Sequence, residues 1–263
     1  MTTARSLRHS FGIQVRVIGA LLMREVLTRY GRHNIGFLWL FMEPMTFTLG
    51  VTLLWTLTRT THAFSLPIVA FAVTGYSSVL LWRSMPNRCS SAIEPNLSLM
   101  YHRQVRVIDL FASRILLEIA GTTISFITLM VMFNSIQLME PPDDISKIML
   151  GWFMLAWFGA ALGLLIGILN VRSELVEKFW HPMSYILFPL SGALFMVDWL
   201  PLAAQKFVLL LPMVHGVELL REGYFGPTIH AHYDLTYMAM FCLVLTIIGL
   251  AQERIVSRGV VAE

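Results

Sequence analysis

Long apolar runs alternate along the chain with short stretches that concentrate the charge. Six runs reach the length of a membrane helix: Ile35 to Leu57, Leu66 to Trp82, Ile115 to Phe133, Ile148 to Val171, Phe179 to Val197, and Leu235 to Ala251. At about 1.5 Å per residue, segments of roughly 17 to 25 residues cross a hydrocarbon core about 30 Å thick. Backbone groups in lipid must find partners within their own segment, so the runs predict helices. Ahead of the first run, FGIQVRVIGALLMREVLTRYGRH places Phe11, Val15, Ile18, Leu22 and Val26 on one helical face, with Arg16 and Arg24 away from it. This pattern predicts an amphipathic helix lying in the inner interface, the alternative being a short cytosolic helix packed on the domain's own loops.

Two features modify that outline. Residues 199 to 233 contain FVLLLPMVHGVELL, too apolar for a solvated loop and too short to cross, which predicts a re-entrant or interfacial pair of short helices broken at Pro212 and Gly216. In the fourth run Gly159, Gly163 and Gly167 recur every four residues and leave one stripe of the helix bare for close packing.

Composition supports the membrane reading. Of 263 residues, 56% are hydrophobic and 13% charged, more apolar surface than a soluble domain can hide. Cys89 and Cys242 are too few for a disulfide framework and read as packing residues. The first twenty residues carry Arg5, Arg8 and Arg16 without a compact apolar core, so no cleaved signal peptide is expected. The net charge of +3 matters less than its placement. With both termini inside, only Arg59, Lys147, Lys206 and Arg221 of the 19 basic residues fall outside, a strong bias toward the cytoplasmic side. The outer loop EPPDD, with Glu140, Asp143 and Asp144, agrees.

Chemistry-bearing motifs are sparse. There is no phosphate-binding G-x-x-x-x-G-K-[ST] loop, so any nucleotide-driven work needs another subunit. His230 with His232, and His215 with Glu218, lack a third and fourth ligand, so no metal site is expected. No nucleophile motif and no nucleic-acid partner are expected either. The inner loop RSMPNRCSSAIEPNLSLMYHRQVRVIDLFASR is more informative. Pro86 is expected to end one helix, and Ser91 with Glu94 has the spacing of a capping box. A short element with Leu97, Met100 and Tyr101 close together suits docking into a partner's groove, although an ordinary inner loop fits the spacing as well. Arg106 with Asp109, and Arg114 with Glu118, are spaced to form ion pairs on one helical face. A second inner loop, VRSELVEKFWHP, offers a smaller contact to the same partner.

Arg24 to Pro44, REVLTRYGRHNIGFLWLFMEP, resembles the entry into the first membrane helix of capsular polysaccharide export permeases, the membrane subunits of ABC exporters with a type-2 transmembrane domain. The resemblance covers nearly the whole chain. It implies an all-α polytopic membrane protein with six transmembrane helices, an amino-terminal interface helix (1–33), a single membrane domain (34–256) with a cytosolic coupling helix and periplasmic re-entrant helices, and a short tail (257–263). It further implies a bacterial inner-membrane location with both termini cytoplasmic and a homodimer bound to two ATPase subunits that carry ATP and Mg, with no cofactor in this chain. For acidic capsules it adds a periplasmic co-polysaccharide-export partner, an outer-membrane channel and a lipid-linked polysaccharide passing between the two permeases. The family's coupling helix maps to Pro95, Asn96, Leu97, Met100, Tyr101, His102 and Arg103. The family lines its path with the first helix. Sugars slide well over aromatic faces, which makes Trp39, Trp55, Tyr76 and Trp82 candidate lining residues, with Arg24, Arg29 and Arg32 at the entrance for an acidic polymer.

Glu43 is the unusual residue of that stretch. An ionisable group about 12 Å into a membrane helix is costly and faces a bundle interior or a wet cavity. Two readings are open: a fixed partner, such as an arginine of the dimer mate, or a place on the channel wall that helps to gate it. Pro44 leaves the Leu40 carbonyl without its helical donor and permits a kink. Exporters of O antigen or teichoic acid remain alternatives, as does, more remotely, a membrane acyltransferase.

Overall fold

The computed structural model describes residues 2–30, 36–58, 66–96, 105–173 and 175–260. Among these there are nine α-helices and no strand: α1 (Thr2–Tyr30), α2 (Gly36–Thr58), α3 (Ile68–Ser90), α4 (Val107–Ser135), α5 (Ile145–Arg172), α6 (Leu175–Leu190), α7 (Leu202–Val208), α8 (Pro212–Phe225) and α9 (Leu235–Val260). Short 3-10 turns occupy Glu94–Asn96, Val197–Trp199 and Gly226–Thr228. Among the described residues four helices are long and apolar enough to cross a membrane: α3, α4, α5 and α9 over Leu235–Val256. With 23 residues α2 reaches about 35 Å, while the 16 of α6 reach only about 24 Å, short of a full crossing.

The bundle is organised around α5, which packs most extensively on α3, α8 and α9. The glycine stripe explains how. A Cβ on Gly159 would stand 2.8 Å from Trp82 Cα, one on Gly163 3.2 Å from the Met85 carbonyl carbon, and one on Gly167 3.0 Å from the Cys89 carbonyl oxygen. The missing side chains let the α3 backbone settle against α5, which is the packing role expected of them. Cys89 and Cys242 are both fully buried.

Several expectations are corrected here. Pro86 does not end its helix, since α3 continues to Ser90, and Ser91 closes that helix instead of opening another. Helix α6 starts before Phe179 and stops well short of Val197, because Pro189 and a turn at Gly192, with φ of +83°, end it. The short pair before the last helix exists and is bent by 107° ahead of Pro212. Gly216, however, lies inside α8 and breaks nothing. Its bare face admits Leu155, whose Cγ stands 2.7 Å from where a Cβ would be.

The proposed helical ion pairs are also redistributed. Asp109 accepts from the Arg106 backbone N–H at 2.9 Å and from the Gln14 side chain, so it caps α4 and ties it to α1. Arg114 pairs with Glu25 of α1 at 3.2 Å, and Glu118 with Arg88 of α3 at 3.5 Å. In a packed bundle, partners on neighbouring helices win over partners one turn away.

Candidate functional site

Glu43 sits on the half-exposed side of α2, and its partner belongs to the same chain: Arg88, in the last turn of α3, reaches its carboxylate at 3.1 Å. Arg88 also contacts Glu118 at 3.5 Å, so one guanidinium serves carboxylates from two helices. Beside these charges lies a cavity of about 440 Å³, lined by Trp39, Pro44, Phe47, Leu80, Ser84 and Thr122 among others. Thus the carboxylate has both a fixed partner and an open cavity.

The α2 backbone is adapted to bending there. Pro44 supplies no donor, and Thr48 returns a hydrogen bond to the Pro44 carbonyl at 3.1 Å, continued by Thr52 to Thr48 at 2.7 Å. Such back-bonding bends helices slightly. Ser125 of α4 anchors the same turn through the Phe41 carbonyl at 2.6 Å.

Of the aromatic candidates, Trp39 is 58% exposed at the cavity rim. Trp55 meets Tyr76 edge-on at 5.5 Å and stacks with Phe71 at 6.1 Å. Tyr76 is largely buried beneath this cluster, touching Phe47 and Phe188. Trp82 must be struck from the lining set: it is fully buried and packs on Phe158, because the glycine stripe draws that turn of α3 into α5. The sequence reading missed Arg83, whose guanidinium lies 4.4 Å over the Tyr185 ring and 6.0 Å from Phe188.

Arg24 donates to Asn96 at 2.5 Å, linking α1 to the turn after α3. Asn96 is buried and donates to Ala92 at 2.8 Å, so its side chain holds the loop in place, while Pro95 is exposed. Leu97, Met100, Tyr101, His102 and Arg103 lie outside the described residues, as does Arg32, and of Arg29 only the backbone is described, within α1.

A second charged cluster, unforeseen as such, occupies α8. Arg221 is fully buried and donates to the carbonyls of Gly192 at 2.5 Å, Phe195 at 2.7 Å and Ala193 at 2.7 Å. Its guanidinium lies 3.8 Å over the Phe71 ring. One turn earlier Glu218 accepts from the backbone amides of Val197 at 3.1 Å and His232 at 3.0 Å. His215 Nε2 donates to Leu209 at 2.9 Å, and its Nδ1 accepts from the Asp234 amide at 2.9 Å, which occupies both ring nitrogens. Among the described residues no three of His, Cys, Asp and Glu come together to hold a metal. The spacing of Glu218 and Arg221 in an apolar segment was the available signal for this cluster. At the start of α5, Asp144 caps the helix through Ser146 and Lys147, and the Lys147 amide first of all holds its carboxyl below the usual range.

A polytopic helical bundle with a half-open, charged and aromatic cleft has the build of a transport subunit. The chain belongs to the ABC-2 type transporter family, whose pattern matches residues 16–225. It is a permease component and not an enzyme, the ATPase of such transporters being a separate subunit. The chain is 44% identical, over 95% of each chain, to the capsule polysaccharide export inner-membrane protein CtrC of Neisseria meningitidis serogroup B. It is 42% identical to the capsule polysaccharide export inner-membrane protein BexB of Haemophilus influenzae over 96% of each. It is also 30% identical to the polysialic acid transport protein KpsM of Escherichia coli, over 94% of this chain and 96% of that protein.

Proposed function

We propose that this chain is the membrane permease of an ATP-driven exporter that moves capsular polysaccharide across the bacterial inner membrane. The observation that carries this reading is the end-to-end similarity to CtrC and BexB at above 40% identity. The likeness to a polysialic acid transporter favours an acidic polymer, which is lipid-linked in this reading. Two copies act together, each with six membrane segments, namely the four helices that pass on length and composition, α2 and the shorter α6, with the membrane domain occupying 34–256. Both termini face the cytoplasm, where the basic residues gather. Two ATPase subunits dock on Pro95 to Arg103, and a periplasmic co-polysaccharide-export protein and an outer-membrane channel carry the polymer onward. Arg24, Arg29 and Arg32 draw the acidic polymer in, and Trp39, Glu43 and Trp55 face its path, with Tyr76 packed behind Trp55.

Deleting the gene and fractionating the cells tests the reading. Polymer retained in the cytoplasm, and released to the surface on complementation, is the expected result, and unchanged surface polysaccharide refutes it. Replacing Leu97, Met100 and Tyr101 by charged residues should abolish export while the protein stays in the membrane. Normal export by that variant would remove the docking assignment.

A further inference from the structure

A line of polar contacts crosses the inner ends of the first four helices. It begins at the turn after α3, where Arg24 of α1 holds Asn96 at 2.5 Å. The next α1 residue, Glu25, pairs with Arg114 of α4 at 3.2 Å, and Arg114 donates to the Arg88 carbonyl at 2.5 Å. The Arg88 side chain then reaches Glu118 of α4 at 3.5 Å and Glu43 of α2 at 3.1 Å.

Three features meet where this line ends. Pro44 interrupts the α2 hydrogen-bond ladder next to Glu43. The cavity of about 440 Å³ lies between that turn and the helices α3 and α4, so α2 has space on its inner flank. The side chains of Arg88 and Glu43 are 39% and 48% exposed, so packing does not lock the pair in one place. Arg88 has a second carboxylate within reach, so it can release Glu43 and remain paired with Glu118. A contact that is replaceable and placed at a proline beside a void suits an element with two arrangements.

We infer that Arg88 is a positioning residue: by holding Glu43 it passes movement of the segment after α3 to the first membrane helix, with α1 carried along through Asn96 and Arg114. Release of Glu43 lets α2 swing at Pro44 into the cavity, and recapture draws it back. This inference rests on the transporter reading above.

The test uses the full chain assembled with its ATPase subunits in lipid vesicles, with spin labels at Met23 on α1 and Leu57 on α2 beyond the hinge, both exposed. Adding ATP and vanadate should change the label distance in the otherwise native protein. In Arg88→Gln and in Glu43→Gln the change should vanish, with ATP hydrolysis continuing and polymer exported per ATP falling about tenfold. Arg88→Lys should restore both readouts, and Arg88→Gln/Glu43→Gln should be no worse than the more severe single change, because the two residues act through one contact. An unchanged label distance in the native protein, a native response in both Gln variants, or additive losses would overturn the inference. So would a loss of export matched by loss of protein from the membrane, since that marks a merely structural pair. A native complex that hydrolyses no ATP refutes the transporter reading instead, which keeps the two failures distinguishable.

Discussion

Two arginines do opposite work in this molecule. Arg221, on α8, has no exposed surface and spends its donors on three backbone carbonyls in the turn that ends α6. Arg88, in the last turn of α3, is 39% exposed and touches two carboxylates on different helices. The first arrangement is a clamp. A buried guanidinium is stable only while its partners stay in place, so it fixes the turn and the ring of Phe71 as one unit. The second can be rearranged, because Arg88 has another carboxylate, Glu118, within reach. The turn against α8 is thereby clamped, while α2 at Glu43 is tied by a contact whose arginine has a second carboxylate to hold.

Removing the clamp is the most severe way to probe this contrast. Arg221→Met leaves three carbonyls without their donor and Glu218 without a neighbouring cation. It should cost about 3–5 kcal/mol, read as a large fall in melting temperature and in monodisperse protein after detergent extraction. Next in size is Gly75→Ala. Its Cβ would stand 2.5 Å from the Ala193 carbonyl oxygen and 2.6 Å from Arg221 Nη2, so overpacking should destabilise by about 1–3 kcal/mol in the same assay. Glu43→Gln should change stability by no more than about 1 kcal/mol, whatever it does to transport. A loss as large as that of Arg221→Met would erase the distinction between the two clusters. The smallest effect belongs to Gly50→Ala on α2, where an added Cβ meets nothing within 4 Å. Restricting that backbone should raise stability by roughly 0.5–1 kcal/mol, and a loss of export in that variant would show that α2 must flex there too.

The helices were legible because their signal is local. A run such as ISKIMLGWFMLAWFGAALGLLIGILNVR is too long and apolar to be anything but a buried or membrane helix, and α5 spans all of it. The glycine stripe was legible for the same reason, since a period of four defines one face before any partner is known. Helix ends were read less well. Pro86 looked like a terminator, yet α3 passes through it because the glycine face of α5 holds that turn in place. At the candidate site, Glu43 could be singled out by its cost, but not its partner, which is 45 residues away. Trp82 shows the limit most plainly: a tryptophan in an apolar run can face lipid, a path or the core with the same local pattern.

By itself the sequence determined an all-helical membrane chain, the need for an ATPase on another polypeptide and, through the Arg24 to Pro44 stretch, the family. These follow from composition, periodicity and a motif, which depend on residues close in the chain. Only the tertiary structure decided which charges meet. Arg114 turned from Glu118 to Glu25, Glu118 and Glu43 came to share Arg88, and Arg221 became the cap of a turn some thirty residues earlier. Electrostatic and hydrogen-bond partners are chosen by distance in space, and that distance is set by how glycine faces and side-chain volumes let helices approach, a property of the packed bundle and not of any one segment.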